Sequence, residues 1–127
     1  MLVIESWVIN DGSPVPVSSE TVLKALRSRI DSGQLETWLT SSSGRSLAFV
    51  TNTERAMVML LEEEGDPGEH AVDPGVQGSS NGFVLSNGQD DEYPAEDTVP
   101  IHEAFRLVKH IVGSGPWPPD AHWVADR

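Results

Sequence analysis

The feature that most constrains this chain is that only two of its stretches have helical periodicity, near residues 18–33 and 100–115. In both stretches apolar residues recur every three or four positions, as they do on a helix with one buried face. The long interval between them holds short strand-like runs separated by turns. This order lacks a regular alternation of strand and helix. It therefore predicts the α+β class, with a mainly antiparallel sheet of about six to seven strands and two helices packed on it.

Residues at the ends of both predicted helices suit those positions. A serine at position 18 or 19 is a good N-cap for the first helix, and Gly33 suits its C-terminal end. Pro100 suits the first turn of the second helix, which we expect to end at Gly113 or Gly115. The two helices therefore have sequence support at both ends.

The remaining elements are predicted as strands and one long loop. The predicted strands are residues 1–9, 35–40, 46–51, 55–61, 82–86, 89–93 and 122–125. Asn87-Gly88 is a strong signal for a two-residue type I′ hairpin turn. Residues 65–82 are rich in glycine, proline and acids, so they predict a long loop that is functional or disordered. Residues 11–16 are predicted to be a break after the first strand.

Bulk properties limit the class of protein. The length of 127 residues predicts a single domain over residues 1–127. The absence of cysteine excludes disulfides, thiolate metal sites and a thiol nucleophile. The first ten residues lack the basic region of a signal peptide, and no apolar run approaches the roughly 18 residues of a membrane span. We therefore expect a cytoplasmic protein.

One interval of the chain has many acidic residues and no basic ones. The chain has 20 acids and 8 bases, and no base lies between Arg55 and Arg106. The acids in that interval are Glu62, Glu63, Glu64, Asp66, Glu69, Asp73, Asp90, Asp91, Glu92, Glu96, Asp97 and Glu103. Such a field repels nucleic acid and anionic membranes, and it can speed encounter with a basic partner by about 10- to 1000-fold at low salt. The pattern favours a protein that binds something basic over an enzyme.

The motifs of common enzymes are absent or incomplete. His102-Glu103-Ala104-Phe105-Arg106 begins like a zinc-protease helix, but Arg106 occupies the position of the second histidine ligand. There is no Gly-x-Ser-x-Gly elbow and no phosphate-binding glycine loop. We therefore predict no catalytic residue, no cofactor and no enzymatic activity.

A polar cluster at Asp66, Glu69, His70 and Asp73 is the one candidate for a metal site. Its oxygen ligands lie on a glycine-rich loop, but their spacing does not match a calcium-binding EF-hand. A solvated acidic loop or a loop that contacts a partner explains the same residues, so we predict no metal.

Two aromatic residues, Trp38 and Tyr93, are the best candidates for an interface, because such residues dominate binding energy at protein interfaces. Trp38 can equally face the core. We expect Trp117 and Trp123 to pack against the sheet or the end of the second helix.

Four segments in a fixed order resemble immunity protein family 1 of bacterial polymorphic toxin systems. They are Gly65-Asp66-Pro67-Gly68-Glu69-His70, then Phe83-Val84-Leu85-Ser86-Asn87-Gly88-Gln89, then Asp91-Glu92-Tyr93-Pro94, and finally Thr98-Val99-Pro100 leading into a helix, Pro118-Pro119 and Trp123. The resemblance covers about residues 35–127. It implies a protein that binds and neutralises a cognate toxin, typically a nucleic-acid deaminase, and it supplies no catalytic motif.

The resemblance and the acidic interval together predict an immunity protein that blocks the substrate cleft of a basic toxin domain. The predicted partner-binding residues are Glu62, Glu63, Glu64, Asp66, Glu69, His70, Asp73, Asp90, Asp91, Glu92, Tyr93 and Trp38. Three alternatives stay open. The first is an acidic nucleic-acid mimic that inhibits a nuclease or DNA-binding protein, the second a small metal-dependent hydrolase around Asp66, Glu69 and His70, and the third a structural subunit of a larger assembly.

Overall fold

A computed structural model of the protein describes residues 5–10 and 13–126. Its strands are β1 (Trp7–Ile9), β2 (Val15–Val17), β3 (Glu36–Ser41), β4 (Ser46–Thr51), β5 (Arg55–Leu61), β6 (Glu69–Ala71), β7 (Ser79–Val84), β8 (Asp90–Pro94), β9 (Val99–Pro100) and β10 (Trp123–Ala125). The helices are α1 (Val22–Asp31) and α2 (Ile101–Ser114), and a short 3-10 turn spans Ala95–Asp97. The predicted α+β class is confirmed. No helix within the described residues has the length and apolar content needed to cross a membrane.

Eight of the strands in the described residues form one sheet, and every pairing in it is antiparallel. Its order is β10-β6-β5-β4-β3-β1-β2, and β9 also pairs with β5. Strands β6 and β9 lie along the same edge of β5, because β4 occupies the other edge along its whole length. Strands β7 and β8 form a separate hairpin.

One face of the sheet is covered by the two helices. Leu47 and Phe49 of β4 pair with Leu60 and Val58 of β5, so the four side chains point to the same face. All four are fully buried, and the Phe49 ring stacks on that of Phe105 in α2 at a centroid distance of 5.7 Å. Burial of each such side chain contributes about 1.5–3 kcal/mol, which makes this layer the main core of the protein.

The opposite face, called the helix-free face below, is marked by a row of paired residues. Trp38, Ala48, Met59, His70 and Val124 occupy β3, β4, β5, β6 and β10, and each pairs with the next in register. Directly paired residues of a sheet point to the same side. Trp38 and His70 therefore share one face although they are 32 positions apart in the sequence.

The β7–β8 hairpin covers the middle of the helix-free face. Ala48 and Val50 of β4 point to this face and are 0% and 3% exposed. Strand β7 contacts β4, and its Phe83 is fully buried. The hairpin thus gives β4 a second apolar contact layer and leaves open space on both sides of itself.

Side-chain hydrogen bonds hold the hairpin at two points. Near its base, the Asn52 amide donates to the Ser80 hydroxyl at 2.9 Å and to the Asn81 carbonyl at 2.8 Å. At its tip, the Glu36 carboxylate accepts from the backbone N–H and the hydroxyl of Ser86 at 3.0 and 2.8 Å. The hairpin forms no backbone hydrogen-bond ladder with the main sheet, so these side-chain contacts attach it instead.

The predicted long loop over residues 65–82 is wrong in part, because it contains β6 and the beginning of β7. The sequence Glu69-His70-Ala71 has low strand propensity, and it forms a strand because the outer edge of β5 needs backbone partners. Strand β2 begins in the predicted break at 11–16, contains a proline, and pairs with β1. Residues 1–4 of the predicted first strand lie outside the described residues, and Trp7–Ile9 of it is confirmed.

The predicted type I′ turn at Asn87-Gly88 is also wrong. A type I′ turn needs positive φ at both central residues, and here Gly88 has a φ of +89° while Asn87 is not in that region. The backbone N–H of Gly88 donates to the Leu85 carbonyl at 2.9 Å, and that of Leu85 to Gln89 at 2.7 Å. The hairpin therefore closes with a longer loop in which the glycine takes the left-handed position.

The second helix ends at the later of its two candidate glycines. Gly113 lies inside α2, and Gly115 caps it with a φ of +104°. A Cβ atom at Gly113 would lie 2.8 Å from Cβ of Ser19, which is closer than two carbon atoms can approach without a shift. Gly113 therefore lets α2 approach the segment before α1.

We expect Gly113→Ala to lower the free energy of unfolding by about 1–2 kcal/mol, although alanine normally stabilises a helix by about 1 kcal/mol relative to glycine. The cause is the overlap with Ser19, so Gly113→Ala in a Ser19→Gly background should cost less than it does alone. Urea denaturation of the four proteins measures both effects. An equal loss in both backgrounds would show that the Ser19 contact is not the cause.

Candidate functional site

The helix-free face has a cavity on each side of the β7–β8 hairpin. The first, called the acidic groove below, has a volume of about 310 Å³. Its lining residues are Met57, Met59, Pro67, His70, Tyr93, Asp97 and Asp126. The structure thus brings together two predicted interface residues, His70 and Tyr93, with five that the sequence did not single out for this role.

The floor of the acidic groove is apolar. Met57 and Met59 lie two positions apart on β5, where they pair with Val50 and Ala48 of β4. Both methionines are partly exposed because the hairpin covers β4 more fully than β5. Their flexible thioether side chains can adapt to an inserted group.

Tyr93 forms one wall of the groove and is held in place by two contacts. Its ring packs edge-on against Phe83 with a centroid distance of 4.9 Å, and its hydroxyl donates to Oδ2 of Asp91 at 3.1 Å. Burial and the Asp91 carboxylate raise the pKa of Tyr93 to about 12. The phenol therefore stays protonated at neutral pH, and its ring is a rigid aromatic surface.

His70 lies between two carboxylates at the side of the groove. Its Nδ1 is 2.9 Å from Oδ2 of Asp126, and its Nε2 is 3.0 Å from Oδ1 of Asp97. Burial alone would lower the pKa of His70, but the hydrogen bonds and negative charges of Asp126 and Asp97 outweigh it and raise the pKa. A protonated ring donates to both carboxylates and so joins β6 to the 3-10 turn and to the residue after β10.

The two carboxylates keep hydrogen-bonding capacity toward solvent. The side chains of Asp97 and Asp126 are 41% and 33% exposed, and each uses one oxygen for His70. Within the described residues, the second oxygen of each has no protein hydrogen-bond donor. Two carboxylates around one imidazolium leave the groove with a net negative charge.

The predicted acidic residues of the β5–β6 turn divide into two groups. Glu62, Glu63 and Glu64 are exposed. Asp66 instead stabilises the turn, because its carboxylate accepts from the backbone N–H of Glu62 at 3.0 Å and from that of Gly68 at 3.2 Å. The turn therefore presents three glutamates that a fourth acid holds in position.

Two other predicted interface acids, Glu69 and Asp73, serve the interior of the fold. Glu69 is 9% exposed and accepts from Nε1 of Trp117 at 3.0 Å. Asp73 accepts from Nη2 of Arg55 at 2.7 Å. These two carboxylates satisfy buried or half-buried donors, so they contribute little to the charge of the exposed surface.

The acids of β8 alternate in direction. Asp90 and Glu92 are exposed, whereas Asp91 is half-buried and holds the Tyr93 hydroxyl. Glu92 accepts from the Ser79 hydroxyl at 2.7 Å. The outward face of the hairpin is therefore acidic, and its inward face positions the wall of the groove.

Trp38 lines the second cavity, which has a volume of about 550 Å³ and lies between the hairpin and the C-terminal end of α1, since Arg29 and Gln34 also line it. Trp38 is 36% exposed, and its Nε1 donates to Oε2 of Glu36 at 3.0 Å. Val84 of β7 also lines this cavity and is 39% exposed. Trp38 and Tyr93, the second of which belongs to the hairpin itself, therefore line two different cavities.

Trp117 and Trp123 form a separate aromatic pair. Trp117 belongs to the core cluster, as the prediction of structural packing required. Trp123 of β10 stacks on it with a centroid distance of 6.2 Å and stays 42% exposed. The pair joins the edge strand to the end of α2.

Basic residues cluster on the helices. Lys24, Arg27 and Arg29 lie on α1, and Arg106 and Lys109 lie on α2. The acidic groove and the acids of β8 lie on the other side of the sheet. Most cations of the described residues therefore lie on the helices, where Asp31 and Glu103 accompany them, whereas the acidic groove and β8 have no lysine or arginine among their own residues.

A shared metal site is not formed by the predicted cluster. No group of three or more histidine and carboxylate side chains in the described residues is placed to hold a metal ion. Asp66, Glu69 and His70 have separate hydrogen-bond partners in the turn, the core and the groove. The arrangement is suited to binding a cationic group, since it joins carboxylates to an apolar floor.

No protein-family model and no curated protein sequence matches this chain. The acidic groove and the exposed acids of β8 and of the β5–β6 turn are the parts of this surface suited to a positively charged group.

The His70 contacts predict a specific dependence of stability on pH. Because the folded-state pKa of His70 is raised, its contribution is full below the unfolded pKa of about 6.5 and is lost as pH rises through the folded pKa. We expect His70→Gln to lower the free energy of unfolding by on the order of 1 kcal/mol near pH 5.5. The difference from the unaltered protein should shrink near pH 9.

Urea denaturation across this pH range measures the effect, and His102→Gln, at an exposed position on α2, is the matched control. A loss at His70 that grows with pH would contradict the assignment of an imidazolium between two carboxylates.

Proposed function

We propose that this protein binds and neutralises a basic protein partner, and that the helix-free face is its contact surface. The observation that carries the proposal is a set of exposed carboxylates that no cation of the described residues neutralises. Glu63, Glu64 and Asp90 are exposed, and none has a cation within 4 Å among the described residues. Carboxylates of the β5–β6 turn and of the hairpin that form no ion pair within the described residues fit a surface selected for encounter with a positive partner.

The partner class comes from the resemblance to immunity protein family 1. We propose that the partner is a cognate toxin domain and that its chemistry is nucleic-acid deamination. A deaminase binds single-stranded or extruded bases in a cleft beside a basic surface. An acidic protein that covers this surface excludes the nucleic acid by charge and by volume.

The surface combines the two properties that a tight inhibitor needs. The exposed carboxylates raise the association rate, which is the effect of charge at the rim of an interface. Trp38, Val84 and the groove at Tyr93 supply apolar and aromatic contacts that slow dissociation. The two cavities lie on either side of one hairpin, so a partner seated on the hairpin can reach both.

The deciding experiment measures binding to the toxin domain encoded beside this protein, carrying an inactivating substitution, over a series of salt concentrations. We expect a complex whose association rate falls steeply with salt. Absence of a complex would contradict the cognate pairing. Equal inhibition of several unrelated nucleases would favour a general nucleic-acid mimic instead.

Reversing two exposed charges tests where the partner contacts the protein. We expect Glu64→Lys with Asp90→Lys to slow association by about tenfold at low salt, because the attractive field becomes weaker at the contact surface. The control is Glu20→Lys with Asp31→Lys, which changes the net charge equally at two exposed positions, one before α1 and one at its last residue. Stopped-flow kinetics of both double variants measure the difference.

Equal slowing by the two double variants would mean that only net charge matters, and the proposed contact surface would then be wrong. Circular dichroism and urea denaturation check that both variants stay folded. We avoid Asp91 in this test because its carboxylate holds Tyr93 in place.

A further inference from the structure

We infer that the acidic groove receives an arginine side chain of the partner, with the guanidinium beside Asp97 and Asp126 and the aliphatic stem over Met57 and Met59. This inference rests on the proposed function, because it names the contact that would anchor the partner. It is carried by the shape, the charge and the lining of one cavity.

The charge of the groove selects a cation. Asp97 and Asp126 are partly exposed and each has an oxygen without a protein donor among the described residues. Asp126 lies beside Nδ1 of His70 and Asp97 lies beside Nε2, so the two carboxylates are on two sides of the same opening. A guanidinium has five N–H donors in a planar fork and can donate to both carboxylates at once.

The apolar floor and the aromatic wall of the groove also favour an arginine side chain over other cations. The three methylene groups of an arginine can lie on Met57 and Met59, where they leave water without leaving a polar atom unsatisfied. The Tyr93 ring is fixed by Phe83 and Asp91 and offers an aromatic surface on which a guanidinium stacks. A lysine ammonium matches this wall less well, because it is a compact, strongly hydrated charge without a planar face.

The size of the groove agrees with a single side chain. Its volume of about 310 Å³ is at the lower end of the roughly 300–1,000 Å³ found for ligand pockets. A nucleotide would place phosphate charge beside Asp97 and Asp126. The groove therefore fits one long cationic side chain and disfavours an anionic ligand.

His70 makes this contact sensitive to pH. The groups that face it are Asp97 of the 3-10 turn, Asp126 after β10 and the lining residues Met59 and Tyr93 of β5 and β8. A protonated His70 competes with the guanidinium for both carboxylates, whereas the neutral ring can donate to one of them. Arginine should therefore bind more tightly as the pH rises from about 5.5 to about 8.5.

The first test uses blocked arginine (N-acetyl-arginine methylamide) with the intact protein and methyl-labelled methionine. The chain has three methionines, and two of them form the groove floor, so the spectrum reports on the groove directly. We expect the methyl signals of Met57 and Met59 to shift with blocked arginine, and to shift about tenfold less with blocked citrulline, which has nearly the same shape without the charge.

Two outcomes would overturn the inference. One is equal shifts with arginine and citrulline, which would mean that the groove binds apolar chains without using its carboxylates. The other is no shift of either methyl signal up to about 100 mM ligand, the range in which single-side-chain contacts are detected. Both outcomes are read from the unaltered protein, so neither depends on a variant that folds.

A pair of variants tests the carboxylate directly. We expect Asp97→Asn to weaken arginine binding by about tenfold, whereas Asp120→Asn, at an exposed acid that contacts Arg106, should leave it unchanged. Equal affinity in the two variants would contradict the role of Asp97.

The toxin complex separates this inference from the proposed function. If Asp97→Asn and Tyr93→Leu, both folded, leave the affinity for the toxin domain unchanged while the charge reversals slow its association, the groove assignment is wrong and the binding function stands. If blocked arginine binds as expected but no toxin complex forms, the groove assignment stands and the proposed partner is wrong.

Discussion

The two-sided burial of β4 is the constraint on which the rest of the structure depends. This strand pairs along its length with β3 and β5, and residues 47–51 are buried whichever face they point to. Leu47 and Phe49 meet the helices, while Ala48 and Val50 meet the β7–β8 hairpin. A strand buried on both faces needs a cover on each. The hairpin is therefore part of the core as well as the carrier of acidic residues.

The covering of β4 also determines where open surface remains. The hairpin is narrower than the sheet beneath it, so Trp38 on β3 and Met57 and Met59 on β5 are left partly exposed on its two sides. The cavities on the helix-free face are thus a consequence of packing a two-stranded cover on a wider sheet. Their positions follow from the fold, and their chemistry follows from the residues at the edges.

Strong local patterns made the class of fold predictable. Apolar residues at helical spacing indicated both helices. The apolar runs 46–51 and 55–61 indicated two strands, and the structure has strands with the same bounds. Strands β2, β6 and β9 lack such a signal, since their sequences contain proline or have low strand propensity. They pair because a neighbouring strand has a free edge, which is information about tertiary structure and not about local sequence.

The site was predictable only in part, for a similar reason. The acidic interval pointed to His70 and Tyr93, but the sequence did not reveal that Asp97 and Asp126 meet His70 from segments 27 and 56 positions away. Nor did it distinguish acids that support the fold from acids that face solvent. Glu69 belongs to the same run of charge as Glu64, yet it lies inside and accepts from Trp117. Burial makes Glu69 differ from Glu64, and that burial follows from the register of β6 against β5.

The attachment of the β7–β8 hairpin by side chains has a consequence for how such a protein changes over evolution. Because the hairpin shares no backbone ladder with the main sheet, its outward positions can be exchanged without altering the register of any sheet strand. Asn52 and Glu36, whose side chains form the hydrogen bonds to the hairpin, belong to the main-sheet part of the protein and not to the hairpin. The outward residues of the hairpin can therefore vary between descendants of this protein while the sheet and helices beneath it stay unchanged.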